Sequence, residues 1–389
     1  MRFTILIIAA LTSTASVVSS GATRTYYIAA DEVIWNFAPS GINQIDDAPF
    51  DDFQAYWTAP GKHKLGTKVK KSIYREYTDA TFSALKPRPP QWEHLGVLGP
   101  LVRAEVGDTI KIVFKNNSSR PTSVHPHGVF YGKDSEGAPY EDGTEGADKA
   151  DDGVLTGAVH TYTWNVPDRA GPVEGGPSTA FWMYHSHTTE VADVNAGLMG
   201  PMIVTRKGAG SPDGSPKDVD REFVIAFYEF LEVESSYAEE NIATYMEDPE
   251  GVRIIRDPFG AKALAIDGDT EAPTRTLIRE TLNGYYYGNL PMLTMRAGEK
   301  VRWYIMGTTN FEVHAPHWHG NTFRWRNMNA DTIPLLTMGM EMLDMEPDNP
   351  GIWLFHCHVG VHFEAGMVAR YQVLPRLPVA SESLLGLDK

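Results

Sequence analysis

The amino-acid sequence predicts an all-β protein made of two sandwich domains of one fold. Short alternating apolar and polar runs, broken by Gly and Pro, recur along it: Thr25–Ile28, Thr109–Phe114, His160–Trp164, Val224–Phe227 and Val301–Ile305. Few long helical periodicities compete with them. An internal repeat then pairs the two halves. Gly107-Asp-Thr-Ile-Lys returns as Gly298-Glu-Lys-Val-Arg, and His125-Pro-His127-Gly as His317-Trp-His319-Gly. Trp182-Met-Tyr-His185-Ser-His187 returns as Trp353-Leu-Phe-His356-Cys-His358, and each half closes on a Gly-Met element, Gly197-Leu-Met199 and Gly366-Met367. A polar Gly/Pro/Ser stretch from Lys207 to Lys217 separates the copies. The expected domains are residues 23–206 and 221–378, with a linker at 207–220 and a tail at 379–389.

The 389 residues suffice for two or three domains. A net charge of −16 disfavours nucleic acid and anionic membranes as partners. After the N-terminus no apolar run is long enough to span a membrane. The first 22 residues read as a secretory signal: Arg2, a short apolar core from Ile5 to Leu11, then small residues, with cleavage after Ser20 or Ala22. The expectation is a secreted protein, periplasmic in a bacterium. Cys357 is the single cysteine, so it is buried, reactive or a metal ligand rather than half of an intrachain disulfide. Asn116 and Asn117 each begin a glycosylation sequon.

Ten of the thirteen histidines fall in four motifs: His125-Pro-His127, His185-Ser-His187, His314-Ala-Pro-His317-Trp-His319 and His356-Cys357-His358-Val-Gly-Val-His362, with Met367 beyond. His63, His94 and His160 stand alone, and His160 reads as structural. Residues two apart on a strand share a face. Each His-x-His pair therefore offers two imidazoles to one metal or to two neighbouring metals, and four such pairs suit a polynuclear site. Two histidines, one cysteine and a weak axial methionine mark an electron-transfer copper. Cys357, His362 and Met367 supply most of that set, and His314 completes it. A zinc site would leave six or more histidines unexplained. In His356-Cys357-His358 the imidazoles face one way and the thiolate the other. One strand thus joins a mononuclear copper to a cluster through two peptide units. In the first half Ser186 stands where the second has Cys357, and Thr122 where it has His314, so only the second half carries an electron-entry site.

At these motifs the sequence resembles the multicopper oxidases, which include laccases, ascorbate oxidase and ceruloplasmin-type ferroxidases. Tyr26-Tyr-Ile-Ala-Ala-Asp-Glu-Val-Ile-Trp35, Tyr184-His-Ser-His, Gly197-Leu-Met-Gly-Pro-Met202 and Leu282-Asn-Gly-Tyr resemble a ceruloplasmin-type domain. The length resembles the two-domain laccases that keep their blue copper in the second domain. The resemblance implies cupredoxin-like Greek-key sandwiches and four coppers per functional unit. His314, Cys357, His362 and Met367 would bind the type 1 copper, and His125 and His317 the type 2 copper. His127, His185 and His358 would bind one type 3 copper, and His187, His319 and His356 the other. The implied reaction couples four one-electron oxidations to reduction of O2 to water. The family places its cluster between domains, and larger relatives close six domains into a ring. Two-domain chains would reach six as a homotrimer, with each cluster between subunits.

Some relatives carry an acid just after the His-Cys-His motif, where this chain has Val359 and Gly360. An acid after the first His-x-His motif is also expected near the cluster. Asp142 is the first candidate and Asp134 the second. Tyr131 matches a tyrosine found near the cluster in small laccases. The leading expectation is a laccase-like oxidase of phenols or aromatic amines. The alternative in the same class is a ferroxidase oxidising Fe(II), which needs acids beside the type 1 copper. Copper nitrite reductase is disfavoured because Ser186 occupies its cysteine position. A non-catalytic cupredoxin module, the alternative from another class, is disfavoured by the complete ligand set.

Overall fold

The computed structural model describes residues 21–256, 260–267, 277–308 and 312–377. Residues 1–20 of the expected leader and the tail at 379–389 lie outside them. Ala22 is already part of the fold. Its N–H donates to Asp108 Oδ1 at 2.7 Å, and its carbonyl accepts from Thr109 N at 2.9 Å. Of the two expected cleavage points, only the one after Ser20 leaves these bonds intact. No helix among the described residues is long and apolar enough to cross a membrane.

The first sandwich sets a five-stranded sheet against a four-stranded one. The first sheet runs in the order Lys68–Tyr77, Thr23–Asn36, Thr109–Asn116, Val159–Asn165, Phe130–Tyr131. The second runs Val102–Glu105, Met199–Thr205, Thr179–His185, His125–Pro126. The second sandwich repeats this plan. Its six-stranded sheet runs Ile278–Leu282, Arg221–Leu231, Val301–Thr308, Met340–Met345, Phe323–Trp325, Met328–Ala330. Its four-stranded sheet runs Leu293–Arg296, Val368–Leu374, Gly351–Cys357, Pro316–Trp318. Each sandwich has one parallel pair per sheet at the same place, such as Thr23–Asn36 beside Thr109–Asn116 and Arg221–Leu231 beside Val301–Thr308. The five predicted strand runs all lie inside observed strands.

Burial follows the side-chain alternation. In Thr109–Asn116, Ile110, Ile112 and Phe114 enter the first core while Lys111 stays exposed. Arg221–Leu231 is apolar on both faces because it separates two cores. Phe223, Ile225 and Phe227 pack inside the second sandwich, whereas Val224, Ala226, Tyr228 and Phe230 face a core shared with the first. That shared core also holds Phe37, Val97, Met199 and Ile203 from the first sandwich. Lys71 and Glu232, both fully buried, cross it as an ion pair at 2.8 Å, with the ammonium 4.0 Å from the centre of the Phe230 ring. Removing one partner would strand a buried charge, a loss of several kcal/mol. His94 adds a second tie, accepting the Val224 N–H at 3.2 Å. The sandwiches are fused through this core, and it sets where the histidine motifs stand.

Candidate metal centre

Each His-x-His-Gly motif leaves its short strand through a glycine in the left-handed region. A Cβ on Gly128 (φ 78°) would lie 2.4 Å from the Trp182 ring, and one on Gly320 (φ 73°) 2.4 Å from the Trp353 ring. The tryptophans begin the Trp-x-x-His repeats, so each indole packs the paired strands together. His125 pairs with His185 in one sheet and His317 with His356 in the other.

Two quartets of imidazoles result. In the first sandwich the rings of His125, His127, His185 and His187 touch one another. In the second, His317, His319, His356 and His358 do the same. Among the described residues no ring of one quartet touches a ring of the other. Within each quartet one pair of Nε2 atoms converges to 3.1 Å: His127 with His185, and His319 with His356. That spacing suits two nitrogens sharing one ion. The remaining strand-end histidines differ. His358 is exposed and the His187 side chain is 36% exposed, although both rings touch rings of their own quartet.

The Nδ1 atoms of four ligands face backbone carbonyls. His125 meets Glu136 O at 2.6 Å, His317 meets Asp331 O at 3.0 Å, His185 meets Ser186 O at 3.1 Å and His356 meets Cys357 O at 2.8 Å. A carbonyl only accepts, so Nδ1 carries the proton and Nε2 presents a lone pair. Burial lowers the pKa of His125, brings His127 and His356 to about 4 and His185 to about 3. Near neutral pH they are uncharged, the form that binds metal.

The third constellation is the mononuclear one. Cys357 Sγ lies 3.5 Å from His362 Nδ1 and 3.8 Å from His314 Nδ1, and all three side chains are buried. Their ligand atoms fall within 4.8 Å of one another. Met367 is fully buried beside them, its carbonyl bonded to the Cys357 N–H and its own N–H to the His362 carbonyl. Burial pushes the Cys357 thiol up to about 11 and His314 down to about 3. Only a bound cation would hold a thiolate here. One thiol and two imidazoles, with the Met367 thioether in the same buried core, offer a soft donor set that fits copper. As the alternation requires, the Cys357 side chain enters the second core while its neighbours His356 and His358 join the quartet.

Residues 94–209 and residues 257–376 each match a family model described as multicopper oxidase. The chain belongs to the multicopper oxidase family. It is 40% identical over 355 residues to ferroxidase HEPHL1 of Homo sapiens, covering 90% of this chain and 29% of that one. It is 38% identical over 360 residues to human hephaestin (91% and 30% covered) and 37% over 362 residues to human ceruloplasmin (90% and 32%). The chain thus spans about a third of the length of these relatives. Among solved structures, a multicopper oxidase aligns over 92% of both chains with a TM-score of 0.54 at 18% identity. A blue copper oxidase from Nitrosomonas europaea aligns over 90% of this chain and 86% of that one, with a TM-score of 0.53 at 15% identity. These two show the fold.

No hydrogen bond or ion pair among the described residues joins Asp142, the first candidate acid of this multicopper oxidase, to a motif histidine. Its carboxylate is held by Lys133 Nζ at 2.8 Å and Lys149 Nζ at 3.2 Å, and it caps Thr144. The acidic run contains these two lysines, and they take the charge. Asp134 contributes its backbone carbonyl to His160, and no hydrogen bond or ion pair among the described residues joins its side chain to a cluster histidine. Tyr131 does stand beside the quartet, its ring 5.9 Å from that of His125. Three acids that the sequence did not single out stand beside motif histidines, and a fourth stands beside one of them. Glu190 Oε2 is 3.3 Å from His187 Nε2, three residues along the chain. Glu280 Oε1 and Glu312 Oε2 lie 3.9 and 3.8 Å from His362 Nε2, and Glu229 pairs with Glu280 across two strands. Burial, then the charges of Glu229 and Glu312, raises Glu280 well above the usual carboxylate range, and burial with Glu312 takes Glu229 to about 8.

Proposed function

We propose that this chain is a ferroxidase-type multicopper oxidase: it takes one electron from each of four Fe(II) ions and delivers them with four protons to O2, giving two waters. The carrying observation is the acid group at His362. Its Nδ1 edge faces Cys357 Sγ, while its buried Nε2 edge has no hydrogen-bond partner among the described residues and faces Glu280 and Glu312. Carboxylates favour a hard divalent cation. An Fe(II) held by Glu280, Glu312 and Glu229 would sit one imidazole away from the type 1 ligand set. The burial that keeps Glu229 and Glu280 protonated makes them unfavourable as bare anions, and a bound cation offsets that cost. The kinship with ferroxidase HEPHL1, hephaestin and ceruloplasmin supports this reading over a laccase acting on phenols or aromatic amines.

When bound, copper supplies the one-electron steps and the reduction of O2. His314, Cys357, His362 and Met367 would hold the type 1 ion, and the Cys357 backbone would join that site to His356 and His358. The two quartets would hold the type 2 ion through His125 and His317 and the type 3 pair through the other six, four coppers per functional unit. Each quartet is half a cluster. The 3.1 Å pairs His127/His185 and His319/His356 each need a third imidazole, which the exposed His358 and the partly exposed His187 of a neighbouring chain would supply. A head-to-tail ring of three chains would close such contacts. Secretion, read from residues 1–20, belongs to the same proposal, as do domain boundaries near residues 207–220.

Glu280→Gln tests the iron site. It should raise KM for Fe(II) and cut kcat/KM by about tenfold to a hundredfold, while the blue absorption and oxidation of a methoxyphenol stay near wild type. Equal losses with both donors, or unchanged Fe(II) kinetics, would contradict the assignment.

A further inference from the structure

The segment from Lys133 to Gly137 is bonded at almost every residue, far more than a surface turn needs. His160 Nε2 contacts the Asp134 carbonyl at 2.9 Å. Trp164 Nε1 donates to the Ser135 carbonyl at 3.0 Å, and Ser135 Oγ accepts the Thr163 N–H at 3.1 Å. The Gly137 N–H donates to buried Asp151 at 2.6 Å, and the Gly137 carbonyl accepts from Ser123 Oγ at 2.6 Å. Gly137 has φ 72°, and a Cβ there would lie 2.8 Å from the Val124 carbonyl oxygen, so only glycine fits this close approach. Between these fixed points lies Glu136, whose carbonyl is the 2.6 Å partner of His125 Nδ1. Its side chain is tied by Lys133 Nζ and by Tyr140 Oη at 3.1 Å, and the same ammonium bonds Asp142 at 2.8 Å and Tyr140 Oη at 2.7 Å.

From this arrangement we infer that Lys133 is a positioning residue for the type 2 metal site: by bridging Glu136 and Asp142 it fixes the carbonyl that sets the tautomer and aim of His125. The inference rests on the copper reading above. It also gives Asp142 an indirect part, acting through Lys133 rather than by touching the cluster. The second sandwich handles its counterpart differently. His317 Nδ1 is held by the Asp331 carbonyl and by Thr332 Oγ1 at 2.8 Å, with no lysine among the described residues bonded to it. Removing the Lys133 charge leaves Asp142 to Lys149 and Thr144 and leaves the Glu136 side chain with Tyr140 Oη, so the tie between the two acids is lost and the Glu136 peptide is free to turn away from His125. Lys133 is 37% exposed, so its loss does not open the core. A ligating histidine that loses its outer partner binds metal about tenfold to a hundredfold more weakly.

The test compares wild type, Lys133→Met and Lys133→Arg, each stripped of metal and titrated with copper. Type 2 occupancy is read by electron paramagnetic resonance and type 1 occupancy by the blue absorption. The expected result is type 2 affinity about tenfold or more weaker in Lys133→Met, with an altered hyperfine splitting. The blue band and melting temperature stay unchanged, and Lys133→Arg returns to within about twofold of wild type. Type 2 affinity and hyperfine splitting unchanged in Lys133→Met, beside a normal wild type, would overturn the positioning role alone. A wild-type chain showing no type 2 signal would overturn the copper reading and this inference with it.

Discussion

The two sandwiches share one backbone frame around the place where the second carries His314, Cys357, His362 and Met367, the residues proposed above to hold a blue copper, yet the first has other side chains there. The Cys357 N–H donates to the Met367 carbonyl at 3.1 Å, and the Ser186 N–H donates to the Leu198 carbonyl at 3.1 Å. Met367 N donates to His362 O, and Leu198 N to Asp193 O. His314 exchanges two backbone bonds with Leu335, as Thr122 does with Val154. Even the bond to the ligand atom is kept: Ala315 N to Cys357 Sγ at 3.4 Å, Ser123 N to Ser186 Oγ at 3.1 Å. Thr122, Ser186, Asp193 and Leu198 thus stand for His314, Cys357, His362 and Met367. In the first sandwich a hydrogen-bond network fills the space. Ser186 Oγ donates to Asp193 Oδ2 at 2.7 Å, which also accepts Thr189 N at 2.9 Å, while Asp193 Oδ1 takes Ser236 Oγ at 3.2 Å. The frame is common to both, and donor chemistry decides whether it binds copper.

The largest effect comes from removing the difference in one direction. Cys357→Ser gives the second sandwich the donor of the first. It should abolish the blue absorption and lower Fe(II) oxidation by more than about a hundredfold, with cluster copper retained. Cys357 is the single cysteine, so blue colour persisting in the variant would contradict the thiolate assignment. The reverse exchange sharpens the comparison. Combining Thr122→His, Ser186→Cys, Asp193→His and Leu198→Met should install a second blue band in the first sandwich on copper loading. If the folded variant binds no additional copper, the shared frame is not sufficient.

Much of this was legible in the sequence because it is local. The His-x-His spacing, the Cys357 interleaving and the strand runs each depend on neighbours in the chain, and the repeat announced two copies of one fold. The counterparts of His362 and Met367 were harder to read, because the first-sandwich loop between Ser186 and Leu198 is longer and only its backbone bonds align it. The acids at His362 were not legible. Glu229, Glu280 and Glu312 come from three separate segments and meet through strand pairing and loop placement. Asp142 was placed near the cluster by its distance along the chain, but Lys133 and Lys149 in the same loop capture its charge. His94 stood alone in the sequence, outside the four motifs, and its tie between the sandwiches needs the fold to be seen.

That tie gives the smallest expected effect. Burial lowers His94 to about 4 from an ordinary value near 6.5. The folded state therefore resists a proton that the unfolded state accepts between these values. Its neutral form contributes fully above about pH 6.5, and that contribution is lost as pH falls towards 4, in total on the order of 3 kcal/mol. Measured by denaturant unfolding, His94→Gln should flatten the decline of stability over this range. An equal slope in both proteins would remove His94 from the account.

The central claim is that each sandwich holds half of a cluster completed by a neighbouring chain, and mixing two disabled chains tests it most directly. One carries His127→Ala and His185→Ala, the other His356→Ala and His358→Ala, so each lacks one face. Both should be inactive alone. Co-assembled, they should regain a substantial fraction of the Fe(II)-dependent O2 uptake, because some interfaces then join two intact faces, and light scattering on the active protein should give about three times the chain mass. No recovery from a verified mixed assembly, or full activity in a wild-type monomer, would contradict it.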